Sequence, residues 1–255
     1  MIIAINGKIG AGKDTVGKII QYLTLGEEFA KTNADVVADL EYDGYCANKS
    51  KFEIKKFAGK LKTIASLLTG IPVEMFENQE FKQKHMGLQW KMTYREFLQK
   101  LGTEAMRDGL HTNVWVNALF ADYHPTPNKS MDESFMEQFV TGSSTVRYQF
   151  PNWIITDMRF PNEMEAVEEK EGITIRVVRY PKTVEQSRGP ENVETIPFDP
   201  TNQKHMDLWK GDSSRLHPSE TALDDAKFDY EIINDGTIED LIEKVRALLI
   251  KENII

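Results

Sequence analysis

Directly after an apolar opening, Met1-Ile2-Ile3-Ala4-Ile5, the chain runs Asn6-Gly7-Lys8-Ile9-Gly10-Ala11-Gly12-Lys13-Asp14-Thr15, and no other stretch constrains its fold as tightly. Gly7, Gly12 and Lys13 stand at G-x-x-x-x-G-K spacing. They lie between a short strand pattern and an amphipathic segment whose Val16, Ile19, Ile20 and Leu23 share one face. A strand that turns through glycines into a helix can wrap a polyphosphate. Gly7, Gly10 and Gly12 permit positive φ and let backbone N–H groups approach an anion, and the helix start adds partial positive charge. Lys13 supplies a full charge. The next residue in such loops is usually a Ser or Thr whose hydroxyl holds Mg²⁺; here it is Asp14, with Thr15 after it. A carboxylate can take Mg²⁺ directly or through water, but it also sets negative charge near the phosphates. The plain alternative, a glycine-rich turn with an exposed lysine, is disfavoured by the strand, loop and helix standing in order.

Beyond this loop, strand and helix patterns alternate, which predicts a parallel sheet covered by helices. Residues 52–57 read as a second strand and 58–68 as the helix after it, with 26–50 as a polar insertion before them. Over 93–109, Tyr94, Phe97, Leu98, Leu101 and Ala105 fall on one helical face. Arg95, Gln99, Thr103 and Arg107 fall on the other, away from the core. Residues 124–150 read as a surface excursion. A strand over 173–180 ends near Arg179, and the Pro-, Gly- and charge-rich stretch 181–216, carrying Arg188 and Arg215, reads as a lid or a disordered loop. A strand at 229–233 and a final helix, opened by Thr237 with Asp240 as a capping box, close the chain.

At 255 residues the chain can form one domain with insertions. It has no apolar run long enough to cross a bilayer and no signal-peptide pattern, so a cytoplasmic protein is expected. Its single cysteine, Cys46, excludes an intrachain disulfide and lacks zinc-site companions. The formal charge of −9 argues against non-specific attraction to nucleic acid, so the cations that bind phosphate must be concentrated at the site.

The second informative segment is Trp153-Ile154-Ile155-Thr156-Asp157-Met158-Arg159-Phe160-Pro161-Asn162-Glu163, an apolar strand ending in an acid that can help hold a Mg²⁺ shell. Arg159 can reach a phosphate or pair with Glu163, and the first is favoured because strand C-termini line the ligand crevice of open α/β sheets. Pro161 fits the first turn of a helix. Trp90, Tyr94, Gln99 and Trp115 lie where an acceptor-binding insertion is expected. Aromatics there can stack on a base, although Tyr94 already fits the core stripe. The turn at Asn234 could border a nucleobase.

Taken together, the Gly-Lys-Asp-Thr end of the loop, Phe57-Ala58 with Leu61-Lys62, Leu98-Gln99 with Gly102-Thr103-Glu104 and Arg107, Thr156-Asp157 with Arg159-Phe160-Pro161-Asn162-Glu163, and His217-Pro218-Ser219-Glu220 resemble the deoxynucleoside monophosphate kinases of tailed bacteriophages. The resemblance implies a three-layer P-loop kinase fold, a central parallel sheet flanked by helices, formed by residues 1–255 as a single domain. An acceptor-binding helical insertion is expected over 70–122 and a lid over 181–216. It implies transfer of the terminal phosphoryl group of ATP to a deoxynucleoside monophosphate (dNMP), with ATP and Mg²⁺ as cofactors and no nucleic acid or membrane partner. By that match Gly7, Gly10, Ala11, Gly12, Lys13, Asp14 and Thr15 hold ATP, with Arg179 and Arg188 as candidates for closing over the triphosphate. Asp14 and Asp157 serve the metal, and Lys13, Arg107, Arg159 and Arg179 act on the transferred phosphoryl or the acceptor phosphate. A homodimer, and a host cytoplasm if the chain is phage-encoded, are expectations of the family alone. Two other readings stay open: a P-loop kinase for another small acceptor, such as dephospho-coenzyme A or a phosphorylated metabolite, and a nucleotide-dependent switch or assembly ATPase.

Overall fold

The computed structural model describes the chain apart from residues 30, 43, 46–48, 128–147, 190–191, 211–218 and 220, with backbone alone for 184–189, 192–194 and 210. Cys46, Arg215, His217, Pro218, Glu220, most of the 124–150 excursion and the side chain of Arg188 therefore lie outside the described residues.

In chain order the elements are β1 (Ile2–Asn6), α1 (Lys13–Leu23), α2 (Asn33–Glu41), β2 (Phe52–Lys55), α3 (Gly59–Thr69), α4 (Gln79–Lys82) and α5 (Tyr94–Gln99). A π-helix (Lys100–Asp108) continues α5, followed by α6 (Val114–Phe120), β3 (Thr126–Pro127), β4 (Tyr148–Gln149), β5 (Asn152–Ile155) and α7 (Pro161–Glu168). The chain ends with β6 (Ile173–Val178), β7 (Thr183–Gly189), β8 (Asn192–Pro197), α8 (Gln203–Lys210), β9 (Tyr230–Ile233) and α9 (Ile238–Lys251). Five strands form a parallel sheet in the order β2-β5-β1-β6-β9, flanked by helices, which is the α/β class expected from the alternating patterns. Asn6 lies opposite Arg176 and Ile175 opposite Tyr230.

The alternation of side chains along a strand divides the two faces of this sheet. Ile3, Ile5, Ile175, Val177 and Ile232 pack against Val16, Ile19, Ile20 and Leu23 of α1 and Leu241, Ile242, Val245 and Leu248 of α9. Both helices bury the stripe their periodicity predicts, and α9 starts at the expected Thr237–Asp240 capping box. On the other face α7 contacts β1 and β6 and buries Met164 and Val167. There Thr174 exchanges hydrogen bonds with Asp229, and Arg176 donates to the carbonyls of Leu223 and Ala226 while stacking on Phe228.

The described residues divide into two compact units. One comprises Ile2–Ile54 with Ile154–Ile255, and the other Lys55–Trp153 with Met1. In the second, Ala65, Phe76 and Phe97 form a small core, with Tyr94, Leu98 and Leu101 packed against it. Tyr94 stacks on Phe81 at 4.3 Å. No helix among the described residues is long and apolar enough to cross a membrane.

Three local expectations change. The 26–50 insertion contains α2, opened by a Thr32–Asp35 capping box and anchored by Val36, which is fully buried among α1 and α9 residues. The 181–216 stretch contains the antiparallel pair β7–β8 and then α8. The 93–109 segment starts as the expected α-helix but widens at Lys100, where each hydrogen bond spans one more residue. The wider turn breaks the 100° periodicity, so Ala105 becomes exposed and Arg107, expected on the outer face, is buried at 7% exposure.

Candidate phosphate-binding site

Gly7 leaves β1 at φ +155°, and a Cβ there would sit 2.4 Å from the Val177 carbonyl oxygen, so only glycine allows the loop this close to β6. Gly12 caps α1 in the left-handed region at φ +101°, and no side chain caps the helix there. The first amides of a helix have no intrahelical acceptor, so those of Lys13, Asp14 and Thr15 face the loop as donors along with the positive end of the helix dipole. Lys13 Nζ folds back onto the loop, donating to the carbonyls of Gly7 at 2.6 Å and Lys8 at 3.0 Å. The lysine is thus held at the loop's mouth by acceptors that an incoming phosphate can outcompete, since a charged acceptor makes the stronger bond. Ala11 N–H donates to Lys8 O at 3.1 Å, which sets the turn.

Asp14 is exposed in the first turn of α1, and its Oδ1 accepts from Thr156 Oγ1 at 2.9 Å. Thr156 immediately precedes the half-buried Asp157. The bond therefore joins the two backbone segments that carry the expected metal carboxylates. Among the described residues no group of three or more His, Cys, Asp or Glu side chains is placed to hold a metal ion. Asp14 and Asp157, on the two segments that this bond joins, are oxygen donors of the kind that suits Mg²⁺, which is commonly bound by one or two carboxylates plus phosphates and water.

Two asparagines stitch the loops together. Asn6 Nδ2 donates to Met158 O at 2.9 Å, tying the end of β1 to the turn after β5. Asn234, at the exit of β9, donates from Nδ2 to Ala11 O at 2.9 Å and from its backbone N–H to Val178 O at 2.7 Å. Its amide lies so close to Gly12 that a Cβ there would meet it at 2.6 Å. Lys244 of α9 holds the same turn through Ile233 O and Asp235. The only sequence signal for Asn234 was its place at a strand end before Asp235-Gly236. Its bond reaches back 223 residues, a distance no local pattern encodes.

Of the expected cations in this unit, Arg159 leaves the β5 turn with its guanidinium 3.5 Å from Ser219 Oγ, bringing together residues of two separate motifs. Glu163 accepts from the backbone N–H groups of Arg159 at 2.7 Å and Phe160 at 3.2 Å, so it caps α7. Arg179 is exposed one residue beyond β6, and Arg188 lies in β7. Lys8 stands over the Trp209 ring at 4.7 Å and 4.0 Å from Asp224, in a cleft whose lining also includes Gly7, Arg176 and Tyr180. Burial, reinforced by the charge of Glu231, pushes the Tyr180 hydroxyl above its usual pKa.

In the Lys55–Trp153 unit, Arg107 is buried within the π-helix. Trp115 is also buried, and its Nε1 donates to Gly102 O at 2.8 Å, so its role here is to pin that helix rather than to present a stacking face. Trp90 is 37% exposed and packs edge-on against Phe97. Arg95, read as an outward-facing residue, donates to Gln79 at 2.8 Å, while its buried Nε has no hydrogen-bond partner among the described residues. A buried guanidinium donor without an acceptor is costly, and an anion would satisfy it.

No protein-family model matches the chain, and no curated protein matches it.

Proposed function

We propose that the chain is a P-loop kinase that transfers the terminal phosphoryl group of ATP to a dNMP, giving ADP and a dNDP. The observation that carries this reading is the loop itself. Left-handed glycines, the N-terminal end of α1 and the folded-back Lys13 converge at the C-terminal end of β1, where the order β2-β5-β1-β6-β9 places strands that follow in the chain on both sides. The finer fold assignment, a three-layer P-loop kinase with a lid in 181–216 and an acceptor-binding insertion over 70–122, belongs to this proposal.

In this reading the loop amides and Lys13 bind the ATP phosphates, and Arg159 and Arg179, at strand exits, neutralise charge on the transferring group. Arg188 closes over the triphosphate, and Arg107 is assigned to the acceptor phosphate by the family resemblance. Mg²⁺ held by Asp14 and Asp157 would screen the phosphate charge. No strong base is required: a nucleoside monophosphate has a second pKa near ~6, so its attacking oxygen is already largely ionised at neutral pH. What the chain must supply is alignment, charge neutralisation and exclusion of water.

The test is an acceptor panel of all deoxy- and ribonucleoside monophosphates, with dephospho-coenzyme A as control, assayed with ATP and Mg²⁺ for ADP and phosphorylated acceptor. The proposal requires equal yields of ADP and dNDP with at least one dNMP. Phosphorylation of dephospho-coenzyme A alone, or ADP formed without any acceptor product, would replace it with the neighbouring kinase or the ATPase reading.

A further inference from the structure

We infer that Thr156 is a positioning residue for Asp14, holding its carboxylate where it receives the divalent cation that accompanies a nucleotide; this rests on the phosphate-loop reading above. An aspartate at the start of α1 carries charge of the same sign as the phosphates. It is exposed, so a neighbour that fixes one of its oxygens narrows where the charge can point. Thr156 does this from the end of β5. Its hydroxyl donates to Asp14 Oδ1 at 2.9 Å, occupying one of the roughly four acceptor positions of a carboxylate and fixing its plane.

The donor itself is locked. Thr156 is 1% exposed and β-branched, which restricts χ1. Its methyl lies against α1 at Gly17, where a Cβ would meet Thr156 Cγ2 at 2.7 Å. Gly17 is three residues beyond Asp14, so the two share a helix face and Thr156 spans both. The methyl fixes the rotamer, and the rotamer aims the hydroxyl. A glycine at 17, a threonine at 156 and an aspartate at 14 thus form one device, which accounts for a carboxylate working where a hydroxyl usually stands.

The test separates the hydroxyl from the methyl. Mn²⁺ binding to the full-length protein with ADP is measured by electron paramagnetic resonance, alongside ADP binding without metal by calorimetry, for wild type, Thr156→Val and Thr156→Ser. Thr156→Val keeps the shape and loses the donor. It is expected to weaken Mn²⁺ binding about 10-fold or more, the usual cost of removing an outer-shell partner. Thr156→Ser keeps the donor but loses the methyl that fixes its rotamer, so it should lose clearly less Mn²⁺ affinity than the valine variant, and metal-free ADP affinity should hold in both. If the valine variant melts below the assay temperature, Thr156→Ala replaces it, with the same loss expected. Wild-type Mn²⁺ affinity in the variant lacking the hydroxyl, or an equal loss in Thr156→Ser, would overturn the proposal. Wild type that binds ADP but not Mn²⁺ would overturn it too and leave the loop reading standing. Wild type that binds no ADP would overturn both.

Discussion

In the proposed reaction most depends on Lys13, yet it is not a structural keystone. Its ammonium bonds two carbonyls of its own loop in a half-buried setting, where a net hydrogen bond is worth about 1 kcal/mol. Lys13→Ala should therefore shift the melting temperature by only a few degrees while lowering phosphotransfer by at least 10²–10³-fold, the scale for losing one preorganised charge-stabilising donor. Asn234 acts one step back. Removing its bond to Ala11 loosens the loop without touching a phosphate, so Asn234→Ala should raise the KM for ATP about 10-fold with a smaller change in kcat, readable in steady-state kinetics. The difference between these residues is also a difference in legibility. The positive-φ turns at Gly7 and Gly12 could be read because their spacing is local and glycine has one physical use there. Asn6, Thr156 and Asn234 could not, because their partners lie 152, 142 and 223 residues away in sequence.

At the scale of elements, periodicity was a good guide wherever a helix kept its ideal turn. The stripes of α1 and α9 and the capping box at Thr237 follow the pattern residue by residue. Periodicity failed at the π-helix, where the extra residue per turn swings Arg107 inward and Ala105 outward. The indole of Trp115, bonded to Gly102 O, supports that wider turn. Trp115→Phe keeps most of the ring and loses the donor, which should cost about 1–3 kcal/mol and lower the melting temperature accordingly. The same unit contains a lysine cluster around Glu77. Burial pushes that carboxyl up, but Lys62 at 2.5 Å, with Lys56 and Lys82, outweighs it and holds the pKa below the reference 4.5. A carboxyl depressed in the folded state stabilises above its unfolded pKa, and that contribution fades as pH falls through the folded value. Glu77→Gln should therefore melt lower than wild type at pH 7, and the gap should close progressively below pH 4.5, as thermal scans across pH would reveal.

For the whole molecule, the α/β class was readable because alternating strands and helices leave few ways to bury both faces of a sheet. The helix hidden in the 26–50 insertion was less so, since Val36, Val37 and Leu40 are too few to stand out in a polar context. In a chain of net charge −9, the loop after β1 concentrates what attracts an anion: Lys8, Lys13, the α1 dipole and, at the adjoining strand exits, Arg159 and Arg179. Whether that concentration is an anion cradle is decided most directly by a crystal structure with Mg²⁺ and a non-hydrolysable ATP analogue. The account predicts phosphate oxygens on the backbone N–H groups between Gly10 and Thr15, with Lys13 Nζ transferred from the carbonyls of Gly7 and Lys8 to a phosphate. An analogue bound elsewhere, with Lys13 still seated on those two carbonyls, would contradict it.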